Sequence, residues 1–172
     1  MARLTPLDPA GATGKTRELL AGVNAKLGFT PNMMRTMALS PAALEGYLAL
    51  SAALARGLLP ATLREQIAIA VAEANGCGYC LAAHSTVGKM VGLTNADVLA
   101  SRRGTVTDLK AAAALEFARV VVAARGDVTD ADLKRVREAG YGDAEVAEIV
   151  ANVALNVFTN YFNLIAGTEI DF

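Results

Sequence analysis

The segment Glu65-Gln-Ile-Ala-Ile-Ala-Val-Ala-Glu-Ala-Asn-Gly-Cys-Gly-Tyr-Cys-Leu-Ala-Ala-His84 decides how the chain is read. It holds both cysteines, Cys77 and Cys80, and the only histidine, His84, of a 172-residue sequence. Thiol and imidazole chemistry are therefore confined to it. Asn75-Gly76 is a helix stop, so the segment divides into the end of one helix and the start of another. On the second helix, residues three and four apart share a face, which aligns Cys77, Cys80 and His84. Its first turn, where Cys77 is placed, offers unpaired N–H groups and the positive end of the macrodipole, and both favour a thiolate. His84, one turn beyond Cys80, is positioned as base or charged partner for that thiol. Glu65 lies on the preceding helix. If that helix folds back, its carboxylate meets the imidazole, as in a nucleophile–base–orienter arrangement. A surface position is the commoner fate of a glutamate, so this reading requires the two helices to pack as a hairpin.

Outward from this segment the pattern is helical throughout. Residues 1–13, with Pro6, Pro9 and Gly11, carry no period and read as an extended arm. Gly11-Ala-Thr-Gly-Lys-Thr16 resembles part of a phosphate loop, but Pro9 stands where the first glycine is needed and no strand precedes it. A loop running into a helix is the better reading. Leu19, Leu20, Val23 and Leu27 mark a helix from Lys15 closed by Gly28. Pro31 opens a short turn through Met33, Met34 and Met37, which read as flexible core filling. Ser40-Pro41 starts a helix to about Arg56, with Leu44, Tyr47, Leu48 and Leu54 inward. Pro60 starts the helix that carries Glu65, and the cysteine helix runs from Cys77 to about Val91. Thr94-Asn-Ala-Asp97 resembles a capping box. Its helix ends at Arg102-Arg103-Gly104, two arginines that read as solvated residues or as an attraction for an anion. Thr107 is the expected cap of a helix over 108–124, with Leu109, Ala113, Phe117 and Val120 on one face. Thr129 starts another helix, closed by Gly140, and Asp143 starts the last, to about Ala166. No strand pattern occurs, so the chain is all-α. The spacing of Glu65, Cys77, Tyr79 and Cys80 recurs in Glu148, Asn160, Phe162 and Asn163. An internal duplication and a coincidence both remain open at this level.

Length predicts one domain over 1–172 with chain enough for a core. A net charge of −1 and the lack of a basic stripe argue against nucleic acid as a partner. The 53% hydrophobic content is hard for a monomer to hide, which points to a homo-oligomer. No signal-peptide run and no stretch of about 18 apolar residues are present, so a cytoplasmic location and no membrane span are expected. Two cysteines three residues apart make a poor structural framework and read instead as redox or metal residues. As zinc ligands, Cys77, Cys80, His84 and Glu65 would be cramped on one helix, and a second ligand pair is missing. No metal is expected.

The pattern of Glu65, eleven residues, Cys77-x-x-Cys80, three residues and His84 resembles the signature of AhpD-like alkylhydroperoxidases, within the carboxymuconolactone decarboxylase superfamily. The flanks resemble its peroxidase-related members: Pro31-Asn32-Met33, Ser40-Pro41, Leu63-Arg64-Glu65, Asn160-Tyr161-Phe162-Asn163 and Asp171-Phe172. The resemblance implies an all-helical bundle built around a hairpin carrying the C-x-x-C motif, assembled as a dimer, trimer or hexamer. It implies that Cys80 attacks a small peroxide, that Cys77 resolves the sulfenic acid as a disulfide, and that His84 with Glu65 relays protons. It implies no resident cofactor, only an external dithiol such as a lipoyl-bearing or thioredoxin-like protein. Tyr79 departs from the best-studied pattern, which has a second histidine there. A tyrosine, with a pKa near ~10, is a poor base at neutral pH, so Tyr79 is an auxiliary at most. The macrodipole favours ionising Cys77 by only ~0.3–1 kcal/mol. A base in reach is worth roughly 1.4 kcal/mol for each of several pKa units, which favours Cys80. The remaining alternatives are a non-catalytic redox sensor or scaffold, and a lactone decarboxylase, whose members generally lack the paired thiols.

Overall fold

The computed structural model describes residues 2–172. A 3₁₀ turn at Pro9–Gly11 leads into α1 (Gly14–Leu27), α2 (Asn32–Met37) and α3 (Pro41–Leu54). Then follow α4 (Ala61–Ala74), α5 (Gly78–Met90), α6 (Asn95–Arg103), α7 (Leu109–Ala123), α8 (Asp130–Glu138) and α9 (Asp143–Ala166). The described residues contain no strand. The fold is the all-α bundle expected from the sequence.

α4 is the axis of the molecule. Ile67 through Ala72 are six consecutive buried residues, so no face of this helix is left to solvent there. α5, α6, α7 and α9 pack around it. Alanines at 68, 70 and 72 let those neighbours approach, while Ile67, Ile69 and Val71 each contribute about 1.5–3 kcal/mol by burial. Two apolar clusters meet at α4. One joins Leu63, Ile67 and Val71 to Leu115, Phe117, Ile149 and Val153 of α7 and α9. The other joins Ala72 to Leu20, Met33, Met34, Met37 and Leu44, and contains Cys77, Tyr79 and Cys80. The three methionines thus fill the core beside the cysteines.

The helix boundaries follow their caps. Thr94 and Thr129 form reciprocal capping boxes with Asp97 and Asp132, and Ser40 caps α3 ahead of Pro41. The cap of α7 is Asp108 rather than Thr107, because the Asp108 carboxylate accepts from the Ala111 N–H at 2.7 Å. Leu109, expected on the inner face, is 84% exposed, because the first residue after the cap projects beyond the packed part of α7. α3 stops at Leu54, two residues before the expected Arg56. The described part of the arm is tied down: the N–H groups of Arg3 and Leu4 donate to the Ala166 carbonyl, and that of Leu7 to the Arg35 carbonyl.

α9 is long and apolar enough to cross a membrane by length and composition alone. Its inward side, however, carries Asn152, Asn156, Thr159, Asn160 and Asn163, all buried against the rest of the fold. The spacing echo between residues 65–80 and 148–163 is not a structural repeat. The first set spans two helices broken at Gly76, which has φ +67°, whereas the second lies within the unbroken α9. Glu148 also does different work from Glu65, its carboxylate accepting from the N–H groups of Leu58 and Leu59 at 2.8–3.1 Å.

Candidate active site

Gly76 takes the left-handed turn that ends α4 and lets α5 fold back along it. The hairpin brings Glu65, in the second turn of α4, against His84, in the second turn of α5. Glu65 Oε2 and His84 Nδ1 are 2.8 Å apart, and their side chains are only 18% and 25% exposed. Glu65 is therefore a partnered group facing the hairpin, not a surface glutamate.

Cys77 is the N-cap of α5 rather than a first-turn residue, and its Sγ accepts the Cys80 N–H at 3.2 Å. The sulfur thus takes the capping place that a serine or aspartate oxygen usually fills. Cys77 and Cys80 are joined as a disulfide across a Cα–Cα distance of 5.3 Å, and the two residues are 1% and 3% exposed. The sulfurs sit in the apolar cluster with Met33, Met37 and Leu44, while the acid–imidazole pair lies at the partly open edge. Among the described residues His84 makes no direct hydrogen bond to Cys80; its Nδ1 is held by Glu65.

Tyr79 lies between the cysteines in sequence, but its hydroxyl is engaged elsewhere. It donates to Asp171 Oδ1 at 2.9 Å and accepts the Met33 N–H at 3.2 Å. Burial, reinforced by the Asp171 carboxylate, raises its pKa well above the ordinary phenol value, and the Met33 bond opposes that only in part. Tyr79 is a neutral anchor for α2 and the C-terminus. Phe172 packs edge-on against both Tyr79 and Phe29, with centroids 5.6 Å apart in each pair.

Three contributors lay outside the sequence-derived set. Asn163 of α9 donates from Nδ2 to Cys80 Sγ at 3.4 Å. Asn160, one turn earlier, accepts from Asn75 Nδ2 at 2.9 Å, next to the turn that sets the hairpin. Tyr47 of α3 packs into the cysteine cluster, and burial, then the charge of Glu65, pushes its phenol up to about 12. The sequence signals for the asparagines were their spacing match to Cys77 and Cys80 and their place in the Asn160-Tyr161-Phe162-Asn163 flank of the family resemblance, and neither assigned them a contact. Arg102 pairs with Glu73 at 2.6 Å.

A buried dithiol that closes to a disulfide, beside a carboxylate–imidazole pair, can deliver two electrons and accept or supply a proton at one place. Residues 41–123 match the family model of the Carboxymuconolactone decarboxylase family. None of the curated proteins matches the chain. Several solved structures do. One is an uncharacterized peroxidase-related protein with an alkylhydroperoxidase AhpD core from Ralstonia eutropha JMP134 (TM-score 0.86, 27% identity, covering 99% of this chain and 92% of that one). Another is an uncharacterized peroxidase-related protein from Silicibacter sp. TM1040 (TM-score 0.85, 23% identity, 98% and 93% covered). A third is the debrominase Bmp8, in a cysteine-to-alanine form complexed with 2,3,4-tribromopyrrole (TM-score 0.84, 23% identity, 99% and 92% covered).

Proposed function

We propose that the chain, whose residues 41–123 match the Carboxymuconolactone decarboxylase family model and whose fold is that of an AhpD core, is a thiol peroxidase working through a Cys77/Cys80 dithiol–disulfide cycle. The carrying observation is the pair of sulfurs bonded to each other at the head of α5, with Glu65 and His84 in contact one turn further on. In the reduced protein the Cys80 thiolate attacks the terminal oxygen of a hydroperoxide. The S–O bond forms, the O–O bond breaks, and the departing alkoxide takes a proton from His84, whose ring Glu65 orients. The Cys77 thiol then attacks Cys80 Sγ, its proton passing to the departing oxygen, so that the disulfide forms and water leaves. One hydroperoxide and two thiols thus become one alcohol, one water and one disulfide. An external dithiol, on a lipoyl-bearing or thioredoxin-like protein, restores the thiols by exchange. No resident cofactor enters the cycle.

Recycling of this kind suits a reducing compartment, and the cytoplasm is the proposed location. Self-association as a dimer, trimer or hexamer is part of the reading. It would cover Phe158, Tyr161, Leu164 and Ile165, which α9 leaves exposed, and light scattering of the purified protein tests it.

The deciding experiment is hydroperoxide consumption with dihydrolipoamide, a thioredoxin-type protein and dithiothreitol as donors, comparing wild type with Cys80→Ser. Turnover lost in Cys80→Ser, with a sulfenic acid trapped on Cys80 in Cys77→Ser, is the expected result. A sulfenic acid on Cys77 reverses the roles. Single-turnover oxidation without catalysis under every donor replaces the enzyme with a redox sensor. Bromide release from a brominated pyrrole, in place of peroxide turnover, would move the same two electrons to reductive dehalogenation.

A further inference from the structure

The buried side of α9 carries four asparagines, and they divide into two kinds. Asn152 and Asn156 donate one turn back, to the carbonyls of Glu148 and Asn152, at 2.8 Å each. Asn160 and Asn163 instead reach toward the cysteine hairpin, and each leaves half of its amide unpaired. Asn160 Nδ2 and Asn163 Oδ1 are buried without a hydrogen-bond partner among the described residues, in residues that are 0% and 3% exposed. The orientation of the Asn163 amide is chemically determined. A disulfide sulfur has no hydrogen to give, so the amide nitrogen must face it and the oxygen must face away. A buried acceptor left unpaired costs about 1–3 kcal/mol, and native folds rarely carry one without a use. This one belongs to the side chain that touches the reacting sulfur. Nδ2 lies 3.4 Å from Cys80 Sγ, and amide oxygen and nitrogen are about 2.2 Å apart. The oxygen is therefore no more than about 5.6 Å from the sulfur.

We propose that the Asn163 carboxamide is a substrate contact, its Oδ1 accepting the O–H of a hydroperoxide while its Nδ2 holds the Cys80 sulfur. The proposal rests on the peroxidase reading. It assigns to one atom the requirement that the attacked oxygen carry a hydrogen, as in hydrogen peroxide and alkyl hydroperoxides but not in dialkyl peroxides. The bond persists through the reaction. As sulfur attacks the terminal oxygen, that oxygen keeps its hydrogen, the alkoxide leaves with a proton from His84, and the new Cys80 S–O–H still donates to Asn163 Oδ1. Attack by Cys77 then forms the S–S bond, and the oxygen departs as water.

The test separates recognition of peroxide from ionisation of the thiol. For reduced wild type and for Asn163→Asp, Asn163→Leu and Asn163→Ala, the thiolate is titrated by its absorbance near 240 nm. Reaction of Cys80 with cumene hydroperoxide and with iodoacetamide is then followed by quenched mass spectrometry at a pH where each thiol is ionised. Iodoacetamide needs only the thiolate. The ratio of the two rates should fall by about tenfold or more in the Leu and Ala variants, the worth of one hydrogen bond to a reacting group. It should stay within about threefold of wild type in the Asp variant, which keeps an acceptor oxygen there. Two side chains of different size are used, so that a folding failure of one, seen by circular dichroism, leaves the other to decide. A ratio unchanged in Leu and Ala, or an Asp variant as impaired as Leu, overturns the role of Asn163 and leaves the peroxidase reading intact. A wild type that alkylates normally but consumes no hydroperoxide overturns both.

Discussion

If Tyr79 is an anchor rather than a proton carrier, its hydroxyl and Asp171 form one energetic unit that a double-mutant cycle can measure. Asp171 takes two hydrogen bonds, from the Asn32 N–H at 2.6 Å and from the Tyr79 hydroxyl at 2.9 Å. The two are unequal. The Asn32 bond is exposed, so water replaces the carboxylate there and the net loss in Asp171→Ala is about 1 kcal/mol. The Tyr79 side chain is buried, so its hydroxyl would lose an acceptor that water cannot easily supply, at about 1–3 kcal/mol. Asp171→Ala should therefore cost roughly 2–4 kcal/mol in denaturant unfolding, and a few degrees of melting temperature for each kcal/mol, at about 2–4 °C. In a Tyr79→Phe background the larger part of that cost is already gone. The same Asp171→Ala change should then cost only about 1 kcal/mol, giving a coupling of about 1–3 kcal/mol. Urea titrations of the four proteins, all with the disulfide intact, supply the cycle. Additivity within about 0.5 kcal/mol would mean that the contact carries no energy, and the account of Tyr79 would fail. A kinetic corollary follows from the same geometry. Tyr79→Phe should leave the pH profile of the hydroperoxide reaction in place, and a displaced profile would return Tyr79 to the proton path.

His84→Ala should raise the pH at which the protein reacts with hydroperoxide, read from the pH profile of the second-order rate; an unchanged profile removes His84 from the chemistry. Gly57→Ala should destabilise by about 1–2 kcal/mol, because the new Cβ would collide with the Glu148 carboxylate that holds the Leu58 and Leu59 N–H groups. Gly46→Ala, on α3 with open space around it, should instead stabilise by about 0.5–1 kcal/mol, and urea midpoints of the two variants would show opposite signs. Asp97 and Asp132 are held below the usual carboxylate range, first by the hydroxyls and then by the backbone N–H groups of Thr94 and Thr129. A lowered folded-state pKa gives stability that is complete above the unfolded value near ~3.9 and is lost as pH falls through the folded one. Unfolding measured below about pH 4 should therefore be less pH-dependent in the Asp97→Asn/Asp132→Asn protein than in wild type.

The helices were legible in the sequence because their punctuation is local. Thr94, Thr129, Ser40-Pro41 and Gly76 specify ends through contacts within three or four residues, and those ends fall where the sequence places them. Thr107 failed as a cap for a related reason: Asp108 next to it is an equally good capping residue, and only the backbone geometry chooses between them. The candidate site divides along the same line. Cys77, Cys80 and His84 share one helix, so their alignment follows from spacing, and Glu65 needs only the assumption that a hairpin closes. Asn163, Tyr47 and Asp171 come from 83 residues after Cys80, from α3 and from the C-terminus. No spacing rule encodes contacts across that much chain.

The unbroken α9 explains why the distant contribution takes the form it does. A helix that buries its polar side must satisfy the amides there, and Asn152 and Asn156 do so with α9's own carbonyls. That solution was open to Asn160 and Asn163 as well, since each also has a carbonyl one turn back. They turn outward instead, to Asn75 beside the α4–α5 turn and to Cys80. Apolar side chains at 160 and 163 would have spared the fold two buried unpaired atoms. Amides there do what apolar side chains could not: they hold the turn that aims the hairpin, and they place one hydrogen-bond donor on the sulfur without adding a charge. A lysine or arginine in the same position would favour the thiolate more strongly, but it would bring an unpaired charge into the cluster formed by Met33, Met37 and Leu44. With a neutral donor at Asn163, the proposed cycle leaves proton transfer to the Glu65–His84 pair, whose side chains are partly exposed at the edge of the hairpin.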